Sequence, residues 1–286
     1  MPETEKLGKK KEQEKEEQTE RNILSDLVLR LNHDFGPAIK KIEVKDVRIG
    51  LAYTGVLISG NCGGIACTPI YEFSGCPSCC FLDSINTTKG KTADEALELV
   101  FSKNPIETAV GVATINALSH MLQELKPEKF ENFYCPDLDV LDLIKPEDRI
   151  AMVGYFEPLV PKIMKITEKL TVLEKREIEG AKTKTLPSER AEETLPDSDV
   201  IILSASTLAN RTFDELLSYC NKAREVILLG PSTPLYPEIF FERGITSVMG
   251  TRIFDPEAML TIVSEAGGTR KLHKYCGQKV AFRKRE

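Results

Sequence analysis

The sequence predicts an α/β protein in which a small α+β unit is followed by a doubly wound sheet of parallel strands. Two observations carry that expectation. After Asp148 strand-like and helix-like segments alternate regularly, and the strand candidates are continuous apolar runs, as expected where parallel strands are covered on both faces. The first 140 residues read differently, as helix, strands, loop, helix and helix. With 286 residues, 41% of them hydrophobic, the chain can bury one large core or two smaller ones.

The elements follow in order. Residues 1–21 hold six basic and seven acidic side chains and almost nothing apolar, so they read as a solvated, disordered tail. Ile23, Leu24, Leu27, Val28 and Leu31 then share one helical face, and that helix closes near residues 32–36. Residues 42–58 turn β-rich, with glycines at 50 and 55, and fit a hairpin or meander. Residues 59–90 contain five cysteines and no clear period, and read as a long loop. Thr92 and Glu95 have capping-box spacing and open a helix over 92–100, and a second helix is expected over 106–125. Domain boundaries are expected at 22–140 for the α+β unit and 141–286 for the sheet domain. Strands are expected at 149–153, 170–174, 199–203, 225–229 and 245–249. Between the third and fourth, Phe213, Leu216, Leu217 and Cys220 define an amphipathic helix, and Thr212 with Glu215 reads as its capping box.

Charge narrows the function classes. The net charge of −6 gives no global positive field for a phosphate backbone, so nucleic acid is not an expected partner. No apolar run of about 18 residues could cross a bilayer, and the first residues carry no apolar signal segment, so a cytoplasmic protein without a membrane partner is expected. In that compartment eight cysteines favour thiols, metal ligands or core positions over disulfides.

In an open parallel sheet, ligands bind beyond the carboxyl ends of the strands, near the point where strand order reverses. The candidate residues there are Gly154 and Tyr155 after the first strand, Glu174 at the end of the second, Ser206, Thr207 and Asn210 after the third, and Ser232 and Thr233 after the fourth. Glu174 follows Gly154 by twenty residues, the spacing at which nucleotide-binding folds place an acid on a ribose, but only one glycine occupies the first turn. It reads equally as a strand-end carboxylate. The hydroxyl residues can serve a polar ligand or form turns; for Thr212 the cap reading is preferred.

The second cluster is Cys62, Cys67, Cys76, Cys79 and Cys80, five thiols within nineteen residues. Thiolates suit soft metals and iron-sulfur clusters, and Cys76-Pro-Ser-Cys79 could place two sulfurs on one ion. The spacing matches neither a zinc ribbon nor a ferredoxin, so a redox dithiol, a disulfide and buried free thiols remain open. His33, His120 and His273 are too far apart for a local metal motif, and no nucleophile elbow, P-loop or EF-hand loop occurs.

The segments Gly111-Val-Ala-Thr-Ile-Asn-Ala-Leu118, Met152-Val-Gly-Tyr-Phe156, Asp199-Val-Ile-Ile-Leu-Ser-Ala-Ser-Thr-Leu-Ala-Asn-Arg-Thr212 and Leu229-Gly-Pro-Ser-Thr-Pro-Leu235 resemble the heavy-metal-chelation family of uncharacterised prokaryotic proteins. The resemblance spans about residues 22–282. It implies an enolase-N-terminal-like α+β domain followed by a Rossmann-like domain, with a site in the interdomain cleft that takes a metal ion or a metal-bearing small molecule. Its cleft maps onto Asn116 of the first domain and onto Gly154, Glu174, Thr207, Asn210, Ser232 and Thr233 of the second; Asn116 reads equally as an interface cap. Where the family carries a Gly-His pair, this chain has Gly154-Tyr155, which implies a shift from imidazole toward thiolate ligation and softer metals. Two alternatives stand beside metal handling: an enzyme binding an adenosine-containing cofactor such as S-adenosylmethionine through Glu174, and an iron-sulfur protein with its cluster on Cys62, Cys67, Cys76 and Cys79. Whether any reaction is catalysed, and whether the chain forms a homo-oligomer, stays open.

Overall fold

The computed structural model describes residues 22–72 and 88–284. The charged segment 1–21 and Cys76, Cys79 and Cys80 lie outside the described residues.

Helix α1, Ile23–Phe35, starts at Asn22, whose side chain accepts from the Ser25 amide at 3.0 Å, and it buries the five apolar residues that define its face. Strands β1, Val44–Ile49, β2, Tyr53–Ile58, and β3, Cys62–Cys67, then form a three-stranded antiparallel meander. The third strand corrects the expectation of a loop throughout 59–90. Two glycines in Cys62-Gly-Gly-Ile-Ala-Cys67 suggest a break, but they are what lets a helix lie on the strand. A Cβ on Gly64 would stand 2.1 Å from the Ala113 carbonyl oxygen and 2.3 Å from the Ala117 amide nitrogen. Those atoms belong to α3, Pro105–Leu125, which follows the short α2, Ala93–Leu97. At the start of α2, Glu95 accepts from the Thr92 amide at 2.9 Å, as its spacing predicts.

The second unit is a seven-stranded sheet in the order β10-β9-β8-β7-β4-β5-β6. Its strands are β4, Ile150–Val153, β5, Leu170–Glu174, β6, Lys184–Pro187, β7, Val200–Ser204, β8, Glu225–Leu229, β9, Ser247–Ile253, and β10, Gly277–Arg283. All pairs are parallel except β9 with β10. The first six strands therefore have the doubly wound order, and it reverses between β4 and β7. The small antiparallel unit and the larger, mostly parallel one form the expected two-domain α/β fold.

Alternation along the parallel strands divides the core. Ala151, Val153, Ile201, Leu203 and Leu228 face a cluster shared with α1 and α3, whereas Ile150, Met152, Val172, Ile202 and Ile227 pack with Val140, Val160 and Ile163. Both sheet faces are thus covered, and the small domain covers one of them. Helix α4, Phe213–Ser218, buries Phe213 and Leu216 on the shared side. The capping box expected at Thr212 does not form: its side chain makes no cap bond and donates at 2.8 Å to Asn210 Oδ1. Helix α5, Pro237–Glu242, buries Ile239, Phe240 and Phe241. Helices α6, Pro256–Ser264, and α7, Thr269–Tyr275, turn back to the small domain, where Met259, Leu260 and Val263 pack with Leu57 and Ile65 of its meander.

Strands β6 and β10 are absent from the sequence expectations. The first is a four-residue edge strand ending in Pro187, and the second is the antiparallel edge. Among the described residues no helix is long and apolar enough to cross a membrane.

Candidate functional site

A cleft of about 1200 Å³ opens between the two units at the carboxyl ends of β4, β5, β7 and β8. It exists because the order reverses between β4 and β7: the connections after these strands leave in opposite directions and leave a crevice. Gly154 turns the chain out of β4 with φ +89°, and a Cβ there would stand 3.0 Å from Ser204 Cβ. The turn therefore needs glycine both for its conformation and for its approach to the next strand.

Glu174 ties this turn to the end of β5. Its Oε2 accepts from the Tyr155 amide at 3.0 Å and its Oε1 from the Lys175 amide at 2.9 Å, with the Arg176 guanidinium 3.9 Å away. The carboxylate is thus already engaged by the protein. Beside it the chain crosses back to the small domain: Lys175 pairs with Glu72 at 2.7 Å, and the Arg176 guanidinium lies 4.4 Å from the ring centre of Tyr71.

The loop after β7 brings Ser204 and Ser206 together at 2.8 Å, and Thr207 donates to the Ser204 carbonyl at 2.6 Å. Ser206, Thr207 and Asn210 all border the cleft. The loop after β8 acts mainly as a pin between domains. Ser232 Oγ accepts from the Cys67 amide at 2.7 Å, and its carbonyl accepts from the Asn116 side chain at 3.0 Å. Thr233 turns inward and donates to the Met249 carbonyl at 3.0 Å. Asn116 also donates to the Ile65 carbonyl at 2.6 Å, while its buried Oδ1 has no partner among the described residues. Ser232 reaches the cleft surface; Asn116 and Thr233 lie behind it, in the interface.

The cysteine cluster is divided by the strand it includes. Cys62 and Cys67 stand at opposite ends of β3, paired across the meander with Ile58 and Tyr53. Five residues of extended chain span about 16 Å, and an odd spacing puts the two side chains on opposite faces. They cannot ligate the same ion or cluster, so the four-thiol set that includes both is corrected. Burial and then the Glu124 carboxylate push the Cys62 thiol up to about 12, and its Sγ donates to Glu124 Oε2 at 3.6 Å. Cys67 borders the cleft; burial raises its thiol, and the Arg176 charge opposes that rise. Among the described residues no three His, Cys, Asp or Glu side chains are grouped so as to hold a metal ion.

Sequence reasoning missed the far end of the cleft. Tyr53 of β2, Thr251 of β9, Thr269 and His273 of α7, and Lys279 of β10 line it together. The Tyr53 and Thr269 hydroxyls lie 2.7 Å apart, and Thr251 Oγ1 lies 2.8 Å from His273 Nε2. Burial pushes the Tyr53 phenol up to about 12. Burial and then Lys279 hold the His273 imidazole below its ordinary value, so it is neutral at pH 7. These residues come from four elements and two domains, and no local sequence signal brings them together; the β9–β10 pairing sets Lys279 beside Thr251.

The rest of the lining is largely apolar, with Tyr155, Phe156, Leu159, Leu216, Tyr219 and Met249 among it. Apolar walls with a few polar groups at the edges are the usual character of small-molecule pockets.

Comparison with known proteins agrees with the architecture. One family model described as "Putative heavy-metal chelation" matches residues 137–282, and a second with the same description matches residues 33–119. An uncharacterised protein of Methanocaldococcus jannaschii is 30% identical over 234 residues, which is 79% of this chain and 85% of the relative. A DUF364-family protein of unknown function from Desulfitobacterium hafniense has a solved structure that superposes with a TM-score of 0.72 at 23% identity, covering 91% of this chain and 99% of its own. A second from Pyrococcus horikoshii gives 0.74 at 24% identity, covering 92% and 100%. At these identities the two structures establish the fold. With more than half of the chain matched by its model, the protein belongs to the DUF364 family.

Proposed function

We propose that the protein binds a metal ion already held in a small organic molecule, and that the interdomain cleft is the place of binding. The observation that carries this reading is the cleft itself: about 1200 Å³, lined by aromatic and aliphatic side chains, with polar groups at the strand ends. Pockets for drug-sized organic ligands enclose roughly 300–1000 Å³, whereas a bare ion needs three or four convergent donors and almost no volume. The donors of the described residues do not fit a bare ion, because no suitable trio converges. An organic chelator would supply most of the ligands and leave the protein to recognise its outer surface.

The adenosine reading draws less support. Glu174, which would reach the ribose, already accepts from two backbone amides within 3.0 Å. The iron-sulfur reading loses its four-thiol set to the geometry of β3.

Anaerobic purification without a histidine tag, followed by elemental analysis and native mass spectrometry, tests the proposal. The expected result is a transition metal and an organic mass released together in equal amounts. A metal released alone, or a nucleoside carrying no metal, overturns it.

A further inference from the structure

The end of the cleft formed by Tyr53, Thr251, Thr269, His273 and Lys279 has more hydrogen-bond donors than the protein uses. The Tyr53 and Thr269 hydroxyls carry two protons, and the 2.7 Å bond between them uses one. The Thr251 hydroxyl and the neutral His273 ring also carry two, and the 2.8 Å contact uses one whichever tautomer is present. If Thr251 donates to Nε2, the Nδ1 proton is left over; if Nε2 donates, the threonine proton is left over. Lys279 stands directly opposite Thr251 in the β9–β10 pairing, is exposed, and makes no ion pair among the described residues.

Two cations act on groups at this end of the cleft. His273 feels Lys279, and Cys67, the cross-strand partner of Tyr53, feels Arg176; no carboxylate acts on either. This contrasts with the chain as a whole, which carries a net charge of −6. Lys175 in the same cleft is paired with Glu72. A group of unspent donors beside an unpaired cation complements an anion.

We propose that this end of the cleft is a carboxylate-recognition subsite, with Lys279 as counter-charge and the unspent protons of the Thr251–His273 and Tyr53–Thr269 pairs as hydrogen-bond donors. The inference rests on the cleft being the ligand site, and it assigns the ligand a chemical class: a metal chelate with at least one free carboxylate at its edge. A single ammonium with a neutral imidazole matches a monoanion. A phosphate dianion is more often met by guanidinium forks or a nest of backbone amides.

Isothermal titration calorimetry of the full chain with four probes tests it: nickel(II) citrate, metal-free citrate, inorganic phosphate and the cationic nickel(II) triethylenetetramine complex. Nickel citrate is expected to bind and the cationic complex not to. Lys279→Met is expected to weaken nickel citrate binding about tenfold and His273→Gln several-fold, with the melting temperature unchanged. Nickel citrate bound equally by both variants overturns the subsite and leaves the proposed function standing. Metal-free citrate bound as tightly as its nickel complex, and still sensitive to Lys279→Met, supports the subsite and overturns the metal-bearing ligand. Phosphate bound more tightly than either citrate form overturns the carboxylate assignment, and no binding by any probe overturns both.

Discussion

The two ends of the seven-stranded sheet make opposite use of polar groups. At the amino ends of the strands, Glu225 is 4% exposed and accepts from Arg283 at 2.8 and 3.0 Å and from Thr246 at 2.6 Å. Arg224 joins the same network and bonds Asp148 at 2.7 Å. Arg149 clamps Asp199 with contacts at 3.1 and 3.2 Å. Each of these charges has a protein partner. At the carboxyl ends the sheet opens into a space of about 1200 Å³, and Lys279 and the hydroxyls around His273 keep bonding capacity unspent. The lesson is that polar residues alone do not mark a site; polar residues whose capacity the fold leaves unused do.

The comparison can be broken most forcefully at the closed end. Glu225→Gln should leave Arg283 and Arg224 without their shared counter-charge and cost about 3 kcal/mol of stability in urea unfolding. A loss below about 1 kcal/mol would mean that water reaching the half-exposed arginines replaces the carboxylate. The pH dependence sharpens the same point. Burial pushes the Glu225 carboxyl up, but the bonds from Arg283 and Thr246 and the charges of Arg283 and Arg224 outweigh it, so the carboxyl lies below its ordinary value of 4.5. Its contribution is therefore complete above pH 4.5 and is lost as pH falls through the lower folded value. Stability measured against pH should decline there in the wild type, and the decline should be shallower in Glu225→Gln.

Substitutions at the open end should matter less to folding. Glu174→Gln keeps the shape but weakens the acceptor for the Tyr155 and Lys175 amides, with an expected cost of about 1 kcal/mol by thermal unfolding. Lys279→Met should change stability by less than about 0.5 kcal/mol, because its side chain is exposed and unpaired among the described residues. A destabilisation by Lys279→Met as large as that of Glu225→Gln would remove the distinction between the two ends.

The parallel core was legible in the sequence because its signals are local, whereas the charged network at the closed end was not, since Arg283 reaches Glu225 only from β10. The runs ending at Val153, Leu203 and Leu229 are apolar on consecutive positions, as the two-sided burial of their strands requires. Strand β3 was hidden because the benefit of its glycines depends on α3, which arrives about fifty residues later. Half of the cleft lining was legible for a topological reason: Gly154, Glu174, Ser206 and Thr207 lie at the carboxyl ends of parallel strands. Thr251, His273 and Lys279 were not, because their meeting depends on α7 and the antiparallel edge strand β10 folding back against β9. Ser232 and Asn116 were expected in the interdomain cleft from the family resemblance, and their local spacing could not tell a ligand contact from the interdomain bonds they make.

The position of α6 has a consequence for the order in which the protein is made. Met259, Leu260 and Val263 cover the meander of the first domain, against Leu57 and Ile65, yet nearly 200 residues of chain separate the two. During synthesis the early strands emerge with one face still bare, and that face stays bare until the second domain has been translated through α6. At about 5–20 residues per second this is an interval on the order of ten seconds or more. The first domain should therefore mature last, and nascent chains halted before residue 256 should be captured by chaperones through its uncovered strands.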